Sequence, residues 1–144
     1  MSERRTRRLT SVKAIFHARE QRFVDNVRLA EQGLRAASDR LALLRSAVIE
    51  HKAALNADYA GALQNHGEFL KRLTAAITAQ ETVVAQAEAR ASEARRALTA
   101  AQQRTQSIGK VCERRTREEQ RAQDRREQRE LDDLPRSAGR SEGP

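Results

Sequence analysis

Phe23-Val24-Asp25-Asn26-Val27-Arg28-Leu29-Ala30-Glu31-Gln32-Gly33-Leu34-Arg35-Ala36-Ala37-Ser38-Asp39-Arg40-Leu41-Ala42-Leu43-Leu44 is the stretch that decides the fold. Within it Phe23, Val27, Ala30, Leu34, Ala37, Leu41 and Leu44 recur in alternating steps of four and three, and the series continues through Val48, His51 and Leu55. A spacing that averages about 3.5 residues keeps one narrow face of a helix apolar, which is the heptad pattern of a coiled-coil seam. Strands alternate with a period of two and cannot produce it.

Toward the N-terminus the same register places Phe16 and Leu9 at one seam position but Glu20 and Lys13 at the other, so the stripe weakens, and Val12 and Ile15 rescue it only in part. Toward the C-terminus a second stripe runs Leu70, Leu73, Ile77, Gln80, Val84, Ala87, Ala91, Ala94, Leu98, Ala101, Thr105, Ile108, Cys112 without a stutter. Between the two, from Asp58 to Glu68, Gly61 and Gly67 interrupt the pattern, and Asn65 followed by Glu68 has the spacing of an N-cap with its capping-box partner. The spacing therefore predicts helix 1 over about 4–60, a tip loop over 61–65 and helix 2 over about 66–134. The fold class is all-α, a long antiparallel two-helix coiled-coil hairpin occupying 1–134. Pro135 is expected to stop helix 2, leaving 135–144 as a disordered tail.

So short a connection forces the helices antiparallel. Folding about residue 64 pairs each position i with roughly 128 minus i, setting Leu41 against Ala87, Leu34 against Ala94 and Ala30 against Leu98. Large then faces small, which lets the backbones approach while the seam stays filled. At 1.5 Å per residue the helices would be about 85 Å and about 100 Å long, a rod far longer than wide.

The composition of the 144-residue chain agrees: 38% apolar but only 3% aromatic residues leave too few bulky side chains for a layered core. Its one cysteine, Cys112, cannot form an internal disulfide, and no run approaches the roughly 20 apolar residues that cross a bilayer. Neither does an apolar segment follow Arg4, Arg5, Arg7 and Arg8 as in a secretory leader. A soluble cytoplasmic protein is expected. The net charge of +8 is unevenly spread: residues 1–28 hold eight Lys/Arg against three acids, a net of +5, whereas 113–130 hold seven Arg against six acids, a net of +1. Pairs four apart such as Glu113 with Arg117, Arg114 with Glu118, Arg115 with Glu119 and Arg126 with Glu130 support a helix over that second stretch without an apolar partner.

No Gly-rich phosphate loop, HExxH, paired cysteines or nucleophile elbow occurs, so no catalytic residue is assigned and no cofactor is expected. His17, His51 and His66 are not at helical metal-ligand spacing, and no metal site is assigned. His51 reads as a polar break in the seam and Cys112 as a small apolar filler. Nucleic-acid binding is disfavoured because six acids interleave the seven arginines of 113–130 and no aromatic is available for base stacking. Function is left to the surfaces: weakly zipped, charge-dense helix ends, and a tip with Tyr59, Leu63, His66 and Phe69. A generic coiled-coil scaffold or a homodimer of hairpins is the plainer alternative to a monomeric protein that bridges two partners.

Two segments carry a family resemblance. Leu55-Asn56-Ala57-Asp58 followed by Phe69-Leu70-Lys71-Arg72-Leu73-Thr74-Ala75-Ala76-Ile77, and Arg125-Arg126-Glu127-Gln128-Arg129-Glu130-Leu131-Asp132-Asp133-Leu134, resemble the FliJ/YscO-type central-stalk proteins of flagellar and virulence type III secretion. The resemblance implies a non-catalytic stalk similar to the two-helix coiled coil of the rotary ATPase γ subunit. Its paired termini would enter the hexameric export ATPase, its other end would reach the cytoplasmic domain of the export gate, and it would escort secretion chaperones. It would sit in the cytoplasm, peripherally at the inner membrane, without inserting into it. By position the resemblance assigns ATPase contacts to Arg4, Arg5, Arg8, Arg121, Arg125, Arg129, Leu131 and Leu134, and gate contacts to Leu44, Ala47, His51, Phe69, Leu73 and Ala76. Ala47 and His51 stand where the flagellar pattern has aromatics, and with the shorter loop they lean toward the virulence apparatus.

Overall fold

The computed structural model describes residues 2–55 and 63–141. They form two helices, α1 (Ser2–Leu55) and α2 (Leu63–Ser141), with no strand among the described residues. None of these helices is long and apolar enough to cross a membrane. The pair divides into two compact units: unit 1 combines residues 1–20 with 101–144, and unit 2 is the continuous stretch 21–100.

Unit 2 is an antiparallel hairpin of the kind the heptads predict. In its α1 part Phe23, Val27, Ala30, Leu34, Leu44, Val48 and His51 are half-buried, while Ala37 and Leu41 are buried. In its α2 part Leu70, Leu73, Ile77, Val84, Ala87, Ala94 and Leu98 are half-buried, and Gln80 and Ala91 are buried. Residues that are just as apolar but lie off the stripe, Leu29, Leu43, Ile49 and Val83, are exposed. Period, more than hydrophobicity of the single residue, decides burial. The core is one side chain thick, and Leu41 is its largest buried member.

A core this thin accepts a polar residue only when its hydrogen bonds are closed. Gln80 donates from Nε2 to the carbonyl oxygen of Ala37 at 3.0 Å, tying the helices together at a buried point. At the rim, Arg45 pairs with Glu81 at 3.3 Å and Arg95 with Glu31 at 3.1 Å. Exposed pairs of this kind contribute about 0–1 kcal/mol each and define alignment more than stability.

Unit 1 pairs the opposite ends of the same helices. Ala101 and Thr105 are buried, and the Thr105 hydroxyl donates to Ala101 O at 3.0 Å within its own helix. Leu9, Phe16, Ile108 and Cys112 are half-buried, and the Cys112 thiol lies 3.9 Å from Leu9 O.

Three expectations are corrected. The first is the start of helix 2, which lies at Leu63 and puts Asn65 inside the first turn, where backbone N–H groups lack intrahelical partners and Asn is tolerated without being the cap, and Glu68 in the turn that follows. The expected end of helix 1 near residue 60, and residues 61 and 62 of the expected loop, lie outside the described residues. Second, α2 continues past Pro135 to Ser141, where a stop and a tail were expected. Proline's fixed φ is already helical, and it removes one hydrogen bond from a 79-residue element. Third, the register moves: Ala37 meets Gln80, not Ala91, and His51 meets His66, not Ile77. The midpoint between Leu55 and Leu63 is residue 59, not 64. An earlier start of α2 brings every partner on it nearer to its N-terminus.

Candidate partner-binding surfaces

The helix ends of unit 1 form the first surface. Stepping the heptad back from Leu9 reaches Thr6, and stepping it on from Cys112 reaches Glu119 and Ala122. These are the positions that remain half-buried when the apolar residues run out. Thr6 Oγ1 donates to the Glu119 carboxylate, 2.9 Å from Oε1 and 2.8 Å from Oε2. The seam therefore extends into the charge-dense stretch as a polar contact, a link that the sequence reading of 113–130 as a helix without an apolar partner leaves room for but does not single out. The missed signal was the heptad itself, followed through a charged residue. An open groove of about 920 Å³ flanks this contact, with Thr6, Thr10 and Ala14 on α1 and Glu119, Ala122 and Arg126 on α2 among its walls.

None of the four expected spacing-four ion pairs in 113–130 is closed among the described residues. The helix uses weaker links: Gln120 Nε2 to Asp124 at 3.2 Å, and Arg125 Nε to Arg121 O at 3.3 Å. Holding two long exposed side chains in one geometry costs more entropy than the screened attraction returns. Arg4, Arg5, Arg8, Arg121, Arg125 and Arg129 all lie in unit 1 and are exposed, as are Leu131 and Leu134. Leu131 and Leu134 are 59% and 62% exposed, a large apolar outlay in so polar a segment.

The second surface lies in unit 2 and brings residues together across the hairpin. His66 Nδ1 sits 2.6 Å from His51 Nε2, and their rings are 4.4 Å apart by centroid. The Phe69 ring packs against His51 at 4.6 Å, tilted by 51°. Of the remaining residues assigned to this end, Ala76 is exposed, whereas Leu44, Ala47 and Leu73 are half-buried. Leu44 and Leu73 belong to the stripe along which the helices meet, so each presents only part of its side chain outward. Phe69, 47% exposed, offers the most apolar surface of the group. Sequence spacing along one helix could not reveal the histidine pair, because its two members come from different helices.

No group of three or more His, Cys, Asp or Glu is placed to hold a metal among the described residues. A model of the flagellar FliJ protein family matches residues 5–143. No curated protein and no solved structure matches significantly.

Proposed function

From the premise that this chain belongs to the flagellar FliJ protein family, a family of non-catalytic proteins that work with the type III export ATPase and export apparatus, we propose that it is the central stalk coupling the ATPase hexamer to the export gate. The observation that carries the proposal is the charge-dense, incompletely zipped pair of helix ends in unit 1, aligned through Thr6 and Glu119 and bearing exposed Arg121, Arg125, Arg129, Leu131 and Leu134. Contacts rich in charge and without a deep apolar anchor associate fast and release readily. A stalk that meets successive faces of a ring needs that property. Arg4, Arg5 and Arg8, exposed on α1 within the same unit, add positive charge to this end.

In this reading the surface around Phe69, with Leu44, Ala47, His51, Leu73 and Ala76, meets the cytoplasmic domain of the gate. Chaperone escort is a further role of the exposed helical faces, and the protein works peripherally at the inner membrane. Ala47 and His51, in place of aromatics, favour the virulence apparatus over the flagellum. The distinguishing phenotype of a deletion is loss of effector secretion with swimming retained.

The test is ATPase stimulation with the cognate export ATPase. Arg125→Glu with Arg129→Glu abolishes stimulation while helicity by circular dichroism is unchanged. Phe69→Ala, altered at the other surface, keeps stimulation and loses gate binding. Undiminished stimulation by the double charge reversal sinks the assignment of unit 1 to the ATPase.

A further inference from the structure

The chain has three histidines, and two of them meet from different helices within unit 2. A neutral imidazole carries one N–H and one nitrogen with a free lone pair, and the tautomer decides which is which. At 2.6 Å, His66 Nδ1 and His51 Nε2 point at one another, one donating and one accepting. If both rings take the tautomer that turns its lone pair inward, the same two atoms become a pair of converging metal ligands.

The geometry is close to what coordination needs. Zinc–imidazole bonds of 2.0–2.1 Å at a tetrahedral angle set two nitrogens about 3.3 Å apart. Reaching that from 2.6 Å takes an opening of about 0.7 Å and a swing of each ring that turns its lone pair from the other nitrogen toward the ion, motions for which the broad χ2 torsion of histidine gives freedom. The Phe69 ring against His51, at 4.6 Å, limits the directions in which that ring can turn away. Two nitrogen donors without a carboxylate select ions that favour imidazole, such as zinc, nickel and copper, over magnesium and calcium, which require oxygen. With two protein donors the ion keeps open coordination positions for water or for a partner's side chain.

We propose that His51 and His66 form a two-imidazole clamp for a divalent transition-metal ion, cross-linking α1 and α2 within unit 2. The proposal rests on this contact and not on the export reading. Because bidentate ligation exists only when the helices are paired, bound metal stabilises the paired state by mass action.

The experiment is a thermal melt of the full chain, followed by circular dichroism, with zinc chloride, nickel chloride or magnesium chloride after chelator treatment. Zinc and nickel raise the midpoint by about 3 °C or more at saturation, and magnesium does not. His51→Ala and His66→Ala each lose the shift and bind zinc at least about tenfold more weakly, whereas His17→Ala and Cys112→Ser keep it. A second measurement needs no variant: zinc moves the imidazole nitrogen resonances of His51 and His66 in the wild-type chain and leaves those of His17 unchanged. The proposal is overturned by an unshifted midpoint in the wild type, by an equal response to magnesium, by a shift that survives in either His51→Ala or His66→Ala, or by movement of His17 alone.

Discussion

Leu41→Ala is the sharpest test of the packing in unit 2, because Leu41 is 8% exposed and is the largest buried apolar side chain among the described residues of a unit whose other buried members are Ala37, Gln80 and Ala91. The substitution removes three carbons; at about 0.8 kcal/mol for each buried CH₂ the transfer loss is about 2.4 kcal/mol, nearly all of which applies at this exposure. In a globular core a cavity term would raise this to as much as about 5 kcal/mol. Here the seam is one side chain thick, so water or a small approach of the helices fills the gap and the cost stays near 2–3 kcal/mol. At 2–4 °C per kcal/mol for chains of this size, the melting midpoint falls by about 5–10 °C. Leu43→Ala, two residues away and 71% exposed, is the matched control and shifts stability by no more than about 0.5 kcal/mol. Urea or thermal unfolding followed at the helical band measures both. Equal destabilisation by the two substitutions, or a Leu41→Ala loss under about 1 kcal/mol, would refute the reasoning that heptad position decides burial in this chain.

Gly33 sits inside α1 with nothing within 4 Å of the position its Cβ would take, so Gly33→Ala raises stability by about 0.8–1.0 kcal/mol through helix propensity, read from the same unfolding curves. Gln80→Leu replaces the buried amide that bonds Ala37 O with an apolar side chain of similar size; stability changes by less than about 1 kcal/mol, but alignment loosens. Paired spin labels at exposed positions 32 and 92, which leave the Glu31–Arg95 ion pair in place, detect this as a broadened distance distribution. Glu119→Ala removes the carboxylate that accepts from Thr6 and costs about 1 kcal/mol, less than a fully buried charged hydrogen bond because the pair is only half-buried. Its effect is local: amide exchange quickens around residues 6–14 and 115–122 while the protection of residues 37–41 is unchanged.

Much of the candidate surface was legible in the sequence, and the parts that were not share a cause. The seam residues of both helices follow from their spacing alone, because a heptad repeat leaves only one face to bury. The exposed arginines at 121, 125 and 129 follow likewise, since no apolar neighbour could draw them inward. Glu119 was read as the spacing-four partner of Arg115, because in sequence it lies among charges; its partner across the seam, Thr6, is 113 positions away. His51 and His66 were read separately, because the spacing rules that identify metal ligands operate along one element. Leu44 and Leu73 were assigned to a partner surface by resemblance, yet the stripe to which they belong also makes them the contact between the two helices.

The sequence by itself determined the number of helices, their type and the face each buries. These depend on a period of about 3.5 residues and on the absence of breakers, and both are local properties of the chain. Tertiary structure decided which residue of one helix meets which of the other. A stripe of Leu and Ala is nearly self-similar when slid by a heptad, so hydrophobicity alone leaves the register open. The start of α2 at Leu63, the buried amide of Gln80 against Ala37, and the directional contacts of Thr6 with Glu119 and His51 with His66 fix it. Those contacts exist only once two distant segments are side by side, and the surfaces on which function is proposed are built from them.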